Sequence, residues 1–327
     1  MPIKAVFLAQ ISSMITRRHV RIKAAQSIYA LLNDSERDLQ DEVQFFQKSI
    51  QNSQELFLLS FDFIRATYRE AEAKQQALQK LRVPDLKAEA ELQAILSNDY
   101  FIFLMEHPIG SKKGMSRRLK HWDLEFEYVK KIYQSWEKSD AFQTYTALES
   151  PNKEEQHQFL LHYFKHFVAT SDRLAEHYED LQLTWADDLP LVNTHMLRQL
   201  KAIRLNDPAS FQFPEFSNRS EEIVFGVALL EKTFTQNDLL QKEFENKTPN
   251  WDADRIAQLD AILIKMALAE LLYFEEIPPR VTLNEYLEIA KDYSTPKSNQ
   301  FINGLLDKLV KEFKENNRLL KSGRGLR

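Results

Sequence analysis

Apolar residues recur three and four positions apart along most of the chain, and no stretch alternates for long enough to read as a strand. Ile22, Ala25, Ile28, Tyr29 and Leu32 form one such stripe, opening near Thr16 and closed by Asn33-Asp34-Ser35. Phe45, Phe46, Leu56, Leu59, Phe63 and Ile64 continue the helical spacing until Pro84-Asp85 breaks it. Helical spacing returns over 119–136, 153–179 and 190–204, around an expected loop at 106–118 and an irregular stretch at 206–218. Two short helices are expected between Glu221 and Phe244, then a long one from Asp252 to Phe274 with Ile256, Leu259, Leu263, Met266 and Ala267 on one face. Pro278-Pro279 stops that helix, and Thr282-x-x-Glu285 reads as a capping box opening the next. Thr295-Pro296 sets a cap residue before proline at the first helical position. Phe301, Ile302, Leu305, Leu306, Leu309, Val310 and Phe313 form the last stripe, and the basic tail 314–327 reads as a frayed end. The pattern predicts an all-α protein.

Composition agrees with few turns: 327 residues hold six glycines and eleven prolines. That length allows one large domain or two smaller ones. The absence of cysteine excludes disulfides, thiolate metal sites and a cysteine nucleophile, and fits a reducing cytoplasm. No apolar run approaches a membrane span, and the stretch 5–15, interrupted by Gln10, Ser12 and Ser13, is a poor signal-peptide core. Charge is uneven. Residues 1–33 carry Lys4, Arg17, Arg18, Arg21, Lys23 and no acid. Residues 251–327 are neutral, so with a net charge of −5 for the whole chain, residues 34–250 carry −10. A basic beginning on an acidic body suggests a localised site for a polyanion.

Arg17, Arg18 and Arg21 are the first candidates for that site. Cations at a helix start oppose the dipole, no acid is near in sequence, and guanidinium forks grip phosphate through paired hydrogen bonds. The plainer reading is a solvated basic end. Lys265 interrupts the apolar run Ile262–Leu272 and reads first as a lysine snorkelling from a helix edge. Lys297, Gln300 and Phe301 fall in the first turns of the last helix, where phosphate is favoured and an exposed ring can stack on a base. Core packing explains Phe301 equally well. Gly304, inside that helix, suggests a close helix–helix approach. His162 and His166 lie four apart but lack a third ligand or an accompanying Glu signature, so no metal is expected. No phosphate-cradling glycine loop or nucleophile elbow is present, and neither an enzyme nor a cofactor is expected.

Asp252 through Asp307 resembles the C-terminal half of the NusB family of bacterial transcription antitermination factors. The likeness is carried by Ala267-Leu268-Ala269-Glu270-Leu271, by Ile277-Pro278-Pro279-Arg280-Val281 and by Phe301-Ile302-Asn303-Gly304-Leu305-Leu306-Asp307. Thr16-Arg17-Arg18-His19-Val20-Arg21 leading into Ala24-Ala25-Gln26-Ser27-Ile28-Tyr29 is similar to the family's arginine-rich first helix. The resemblance implies a NusB-like fold of two packed helical subdomains. The N-terminal one covers 14–250, family-like at 16–33 and 219–250 and enlarged by a helical insertion at 34–218; the C-terminal one covers 251–313. Met14 then reads as the natural start, with 1–13 a non-native or disordered extension. It implies a non-enzymatic role: holding single-stranded box A-type RNA together with the ribosomal protein NusE, within the RNA polymerase antitermination complex, on ribosomal RNA operons. The RNA contacts implied are Arg17, Arg18, Arg21, Gln26, Lys265, Lys297, Gln300 and Phe301, with Tyr29 mainly core and Asp260 facing the protein partner. The alternative is a helical adaptor that binds proteins through its acidic insertion.

Overall fold

The computed structural model describes residues 14–83, 85–108, 115–214, 220–245, 247 and 256–323, with the backbone alone over 115–119. Expectations about Met14 as the start, the extension 1–13 and a helix start at Asp252 fall wholly or partly outside these residues. Among the described residues the fold is all α, with fifteen α-helices. Two compact units emerge, Asn52–Glu215 and Ile15–Gln51 with Phe216–Arg327. Residues 34–51 thus pack with the terminal helices, not with the rest of the expected insertion.

The unit formed by the two ends of the chain contains α1 (Arg17–Asn33) and the start of α2 (Leu39–Leu78). It continues with α11 (Glu221–Thr235), α12 (Asn237–Glu245), α13 (Gln258–Tyr273), α14 (Pro279–Tyr293) and α15 (Pro296–Glu315). Helix α13 is buried on nearly all sides from Ile262 to Leu271, which explains why its apolar residues are not confined to one face. On α1 the buried face runs through Val20, Ala24, Ser27, Ile28 and Leu31. Tyr29, expected mainly in the core, is 45% exposed. Thr295 caps α15, its hydroxyl accepting from the Ser298 amide at 3.1 Å. Helix α15 ends on Asn317 at φ +53°, the amides of Asn317 and Arg318 closing back on the carbonyls of Lys314 and Phe313. Of the tail expected to fray, the last residues fall outside the described ones, and Arg318 and Lys321 are tied down. Arg318 forks onto Glu243 at 2.7 and 2.9 Å, and Lys321 donates to the Phe274 carbonyl at 2.8 Å.

The close helix approach falls at a glycine other than the expected one. A Cβ at Gly304 would meet nothing within 4 Å. A Cβ at Gly226, on α11, would meet Phe46 at 2.4 Å and Val20 on α1 at 2.5 Å. Gly226→Ala is therefore expected to lower unfolding free energy by about 1–3 kcal/mol through overpacking. Gly304→Ala is expected to raise it by about 1 kcal/mol through helix propensity. Urea denaturation of both variants checks this, and opposite signs are the required outcome.

The other unit holds the rest of α2 with α3 (Leu86–Leu96), α4 (Asp99–Glu106), α5 (Met115–Leu124) and α6 (Phe126–Glu137). It also holds α7 (Asp140–Thr146), α8 (Lys153–Tyr163), α9 (Asp172–Leu181) and α10 (Leu189–Lys201). Its core is aromatic: Trp136 lies 4.3 Å from Tyr163, 4.8 Å from Phe159 and 5.1 Å from Phe142, centre to centre. Trp122 donates its indole N–H to the Leu59 carbonyl at 3.0 Å. Buried Asn98 caps α4 through its side-chain oxygen and donates its amide to Tyr145 and to the Gln156 carbonyl. The helix expected over 153–179 is interrupted: a π-helical turn at Phe164–Val168 follows α8, and Ser171 then caps α9.

Candidate functional site

The unit built from the chain ends carries an open groove of about 1020 Å³ along the start of α1, one side of α11, the Phe274–Pro278 turn and the start of α14. Arg17, Arg18 and Arg21 reach it from α1 because residues three and four apart share a helix face. They meet very different surroundings there.

Arg21 is inside the protein, its side chain 2% exposed. Its Nε and Nη2 each donate to Glu270 of α13 at 2.8 Å, and Nη1 lies 3.4 Å from Glu285 of α14. Glu270 also accepts from the Thr282 hydroxyl at 2.8 Å and the Tyr286 hydroxyl at 3.3 Å. Burial works against the Arg21 charge, but the Glu270 hydrogen bonds and charge outweigh it and raise the guanidinium pKa. The expectation of an RNA-facing Arg21 is corrected accordingly: every side of its fork is engaged, and it joins α1 to α13 and α14. Thr282 and Glu285 also take other roles than a capping box. Helix α14 opens at Pro279, Thr282 is fully buried inside it, and Glu285 lies in its second turn and accepts from Arg18 and Arg21 of α1.

Arg18 is half-exposed and forks onto Glu285, Nε at 3.2 Å and Nη2 at 3.0 Å. That bond, with Glu288 and Asp292 adding their charges, raises its pKa. Arg17 is exposed and forms no ion pair among the described residues. Its guanidinium sits 5.3 Å from the centre of the Phe225 ring, and Arg21 lies 5.1 Å from the same centre. Phe225 packs edge-on against Phe274 at 5.5 Å, so the ring is a fixed platform. A guanidinium resting on a fixed ring loses little further freedom when its N–H fork meets an oxyanion. Arg17 is thus the side chain of this groove best disposed to take a phosphate. Glu221, Glu275 and Glu276 line the rest of the groove, so the attraction is local to the α1 end.

The remaining candidates do not gather here. Gln26 is exposed, and with Tyr29, Leu259, Leu263 and Tyr293 it lines a separate apolar cleft of about 250 Å³. Lys265 is only 8% exposed and donates to the Asn237 side chain at 2.8 Å, joining α13 to α12. Burial lowers its pKa, against the pull of Asp238 and Glu245. Neither snorkelling nor a ligand contact describes it. Asp260 is 2% exposed and accepts from the Ser294 hydroxyl at 2.5 Å, so it holds the end of α14 and does not face a partner. Lys297 and Gln300 are exposed on the first turns of α15, and Phe301 is half-buried there. Sequence reasoning missed Phe225, Glu270 and Glu285. Glu270 alone carried a signal, as an acid inside the long apolar run of α13 whose burial demands a cation.

Residues 206–311 match the family model described as NusB family. The chain is 42% identical over 102 residues to the transcription antitermination protein NusB of Salinibacter ruber, a match covering 31% of this chain and 64% of that protein. It is 51% identical over 77 residues to that of Chloroherpeton thalassium, covering 24% of this chain and 36% of the relative. It is 40% identical over 96 residues to that of Desulfitobacterium hafniense, covering 29% and 65%. The chain therefore spans less than two thirds of the length of each of these relatives. No solved structure matches it. A NusB family domain occupies residues 206–311, and no described helix is long and apolar enough to cross a membrane.

Proposed function

We propose that this chain, through its NusB family domain, is an RNA-binding transcription antitermination factor and not an enzyme. It binds box A-type single-stranded RNA together with the ribosomal protein NusE, in the cytoplasm, and supports processive transcription of ribosomal RNA operons as part of the RNA polymerase antitermination complex. The observation that carries this reading is Arg17: it stands exposed at the head of α1, posed on Phe225 of the family domain and without a carboxylate partner among the described residues. Arg18 extends the site, since its bond to Glu285 is partly open to water and a phosphate competes for the same fork. Lys297 and Gln300, with Phe301 beside them, supply a second contact on the first turns of α15, where the helix dipole favours phosphate.

Titration of labelled box A RNA and a scrambled control, with and without NusE, at two salt concentrations tests the reading. Selective binding that NusE strengthens is expected. Equal affinity for both RNAs in every condition counts against it and favours an adaptor that works through residues 52–215.

A further inference from the structure

The unit spanning Asn52–Glu215 has a cleft of about 380 Å³ whose lining differs in kind from the groove beside α1. Lys131 enters it from α6 and Lys138 from the cap at the end of that helix, His166 and Phe167 from the π-helical turn, and Arg173 from the start of α9. Ser135, Thr170 and Ser171 add hydroxyls, and among the described residues no carboxylate lines the cleft.

Lys131, Lys138 and Arg173 are exposed and form no ion pair among the described residues. None of the acids close by in sequence forms an ion pair with them among the described residues. Glu137 is held by Lys74 at 3.0 Å, and Asp172, at the first position of α9, is not part of the lining. Gathering cations at one opening of an acidic chain costs self-repulsion, which an anion would relieve. The backbone favours the same sign. Ser171 spends its hydroxyl on the Leu174 amide at 3.2 Å, and the other first-turn amides of α9 have no helical acceptor. The π-helical turn widens the backbone just where His166 and Phe167 are delivered, a departure from α geometry that often marks a working site. Beneath it, the His162 ring lies 4.5 Å from that of His166, with its Nδ1 buried and unpartnered.

We propose that this cleft binds the phosphate backbone of single-stranded RNA, as a contact separate from the groove beside α1. Lys131, Lys138 and Arg173 hold backbone oxygens, and the partly exposed Phe167 ring offers a surface to a base. The open form of the cleft suits a chain that passes through it. The choice of RNA among phosphate polymers rests on the reading of the NusB family domain; the attraction for phosphate rests on the cleft alone.

Anisotropy titration of the full chain with a labelled 12-nucleotide oligouridine, across a salt series, tests this. Lys138→Glu with Arg173→Glu is expected to weaken binding at least tenfold and to reduce the log–log salt slope by about 1.4, for two lost single-strand phosphate contacts. Its preference for box A over scrambled RNA stays intact. Arg17→Ala, in the separate groove, is expected to weaken box A binding and to lower oligouridine affinity less than the double variant of the cleft does. Thermal melting verifies the fold, and Lys138→Gln with Arg173→Gln serves if charge reversal disturbs it. Unchanged oligouridine affinity and slope in the folded double variant would overturn the proposal, as would no oligouridine binding by the parent chain. Displacement of oligouridine by polyglutamate at equal charge would overturn it too, marking the cleft as a face for acidic protein segments.

Discussion

Glu270→Ala is expected to lower the unfolding free energy of the unit that contains it by about 3–5 kcal/mol, the cost of breaking a buried ion pair from one side. The carboxylate is fully buried and is the shared acceptor for Arg21, Thr282 and Tyr286. Its removal leaves the Arg21 guanidinium, only 2% exposed, with Glu285 at 3.4 Å as its remaining carboxylate among the described residues. Two hydroxyls lose their acceptor in the same step. Urea denaturation followed by helicity and tyrosine absorbance measures the loss. Replacing both partners, as Arg21→Met with Glu270→Leu, is expected to recover most of it, because two apolar side chains of similar reach remove the desolvation cost. A loss below about 1 kcal/mol in Glu270→Ala would mean that water enters and relaxes the pair, and the structural role given to Arg21 would fall.

The second large effect concerns RNA. Arg17→Ala with Arg18→Ala is expected to weaken box A binding on the order of 100-fold, taking each charge-assisted hydrogen-bonding group at about 1.5 kcal/mol, the low end of its range, because both are open to water. The salt slope should shrink by about 1.4. Stability should change little. Arg17 has no ion pair among the described residues to lose, and the half-exposed Arg18–Glu285 pair contributes about 0–1 kcal/mol. Parallel melting curves and titrations separate the two effects. Arg17→Lys discriminates further: it retains the charge but loses the planar fork, so an intermediate loss is expected. Full affinity in the double variant would remove the α1 end of the groove from the RNA site. Comparison with Arg21→Ala is instructive, because that change is expected to reach RNA binding only by unfolding the helix that carries Arg17.

These contrasts show where the sequence was legible. Three arginines within five residues look alike on a line of letters, and periodicity places them on one side of a helix. Their fates diverge through residues more than 200 positions away. Arg21 meets Glu270 and Arg18 meets Glu285, at separations of 249 and 267 residues. Thr282-x-x-Glu285 failed as a capping box for a related reason: both side chains have stronger claims on them across the packed helices than along their own. Gly226 and Gly304 teach the same lesson with sterics. Each sits inside a helix, and only the position of Phe46 and Val20 makes one of them indispensable.

The sequence by itself determined that the chain is helical, where α14 and α15 are divided, that Thr295 caps the last helix, and that residues near the C-terminus form a NusB family domain. All of these depend on contacts within a few residues, or on patterns carried by one contiguous segment. The tertiary structure alone decided which charges lie inside. Burial is a property of the neighbours that packing supplies, and a cation is stable in the core only where a distant carboxylate is delivered to it. It also decided that Lys131, Lys138 and Arg173, scattered over more than forty residues of sequence, line one cleft together, with no carboxylate among its described lining residues.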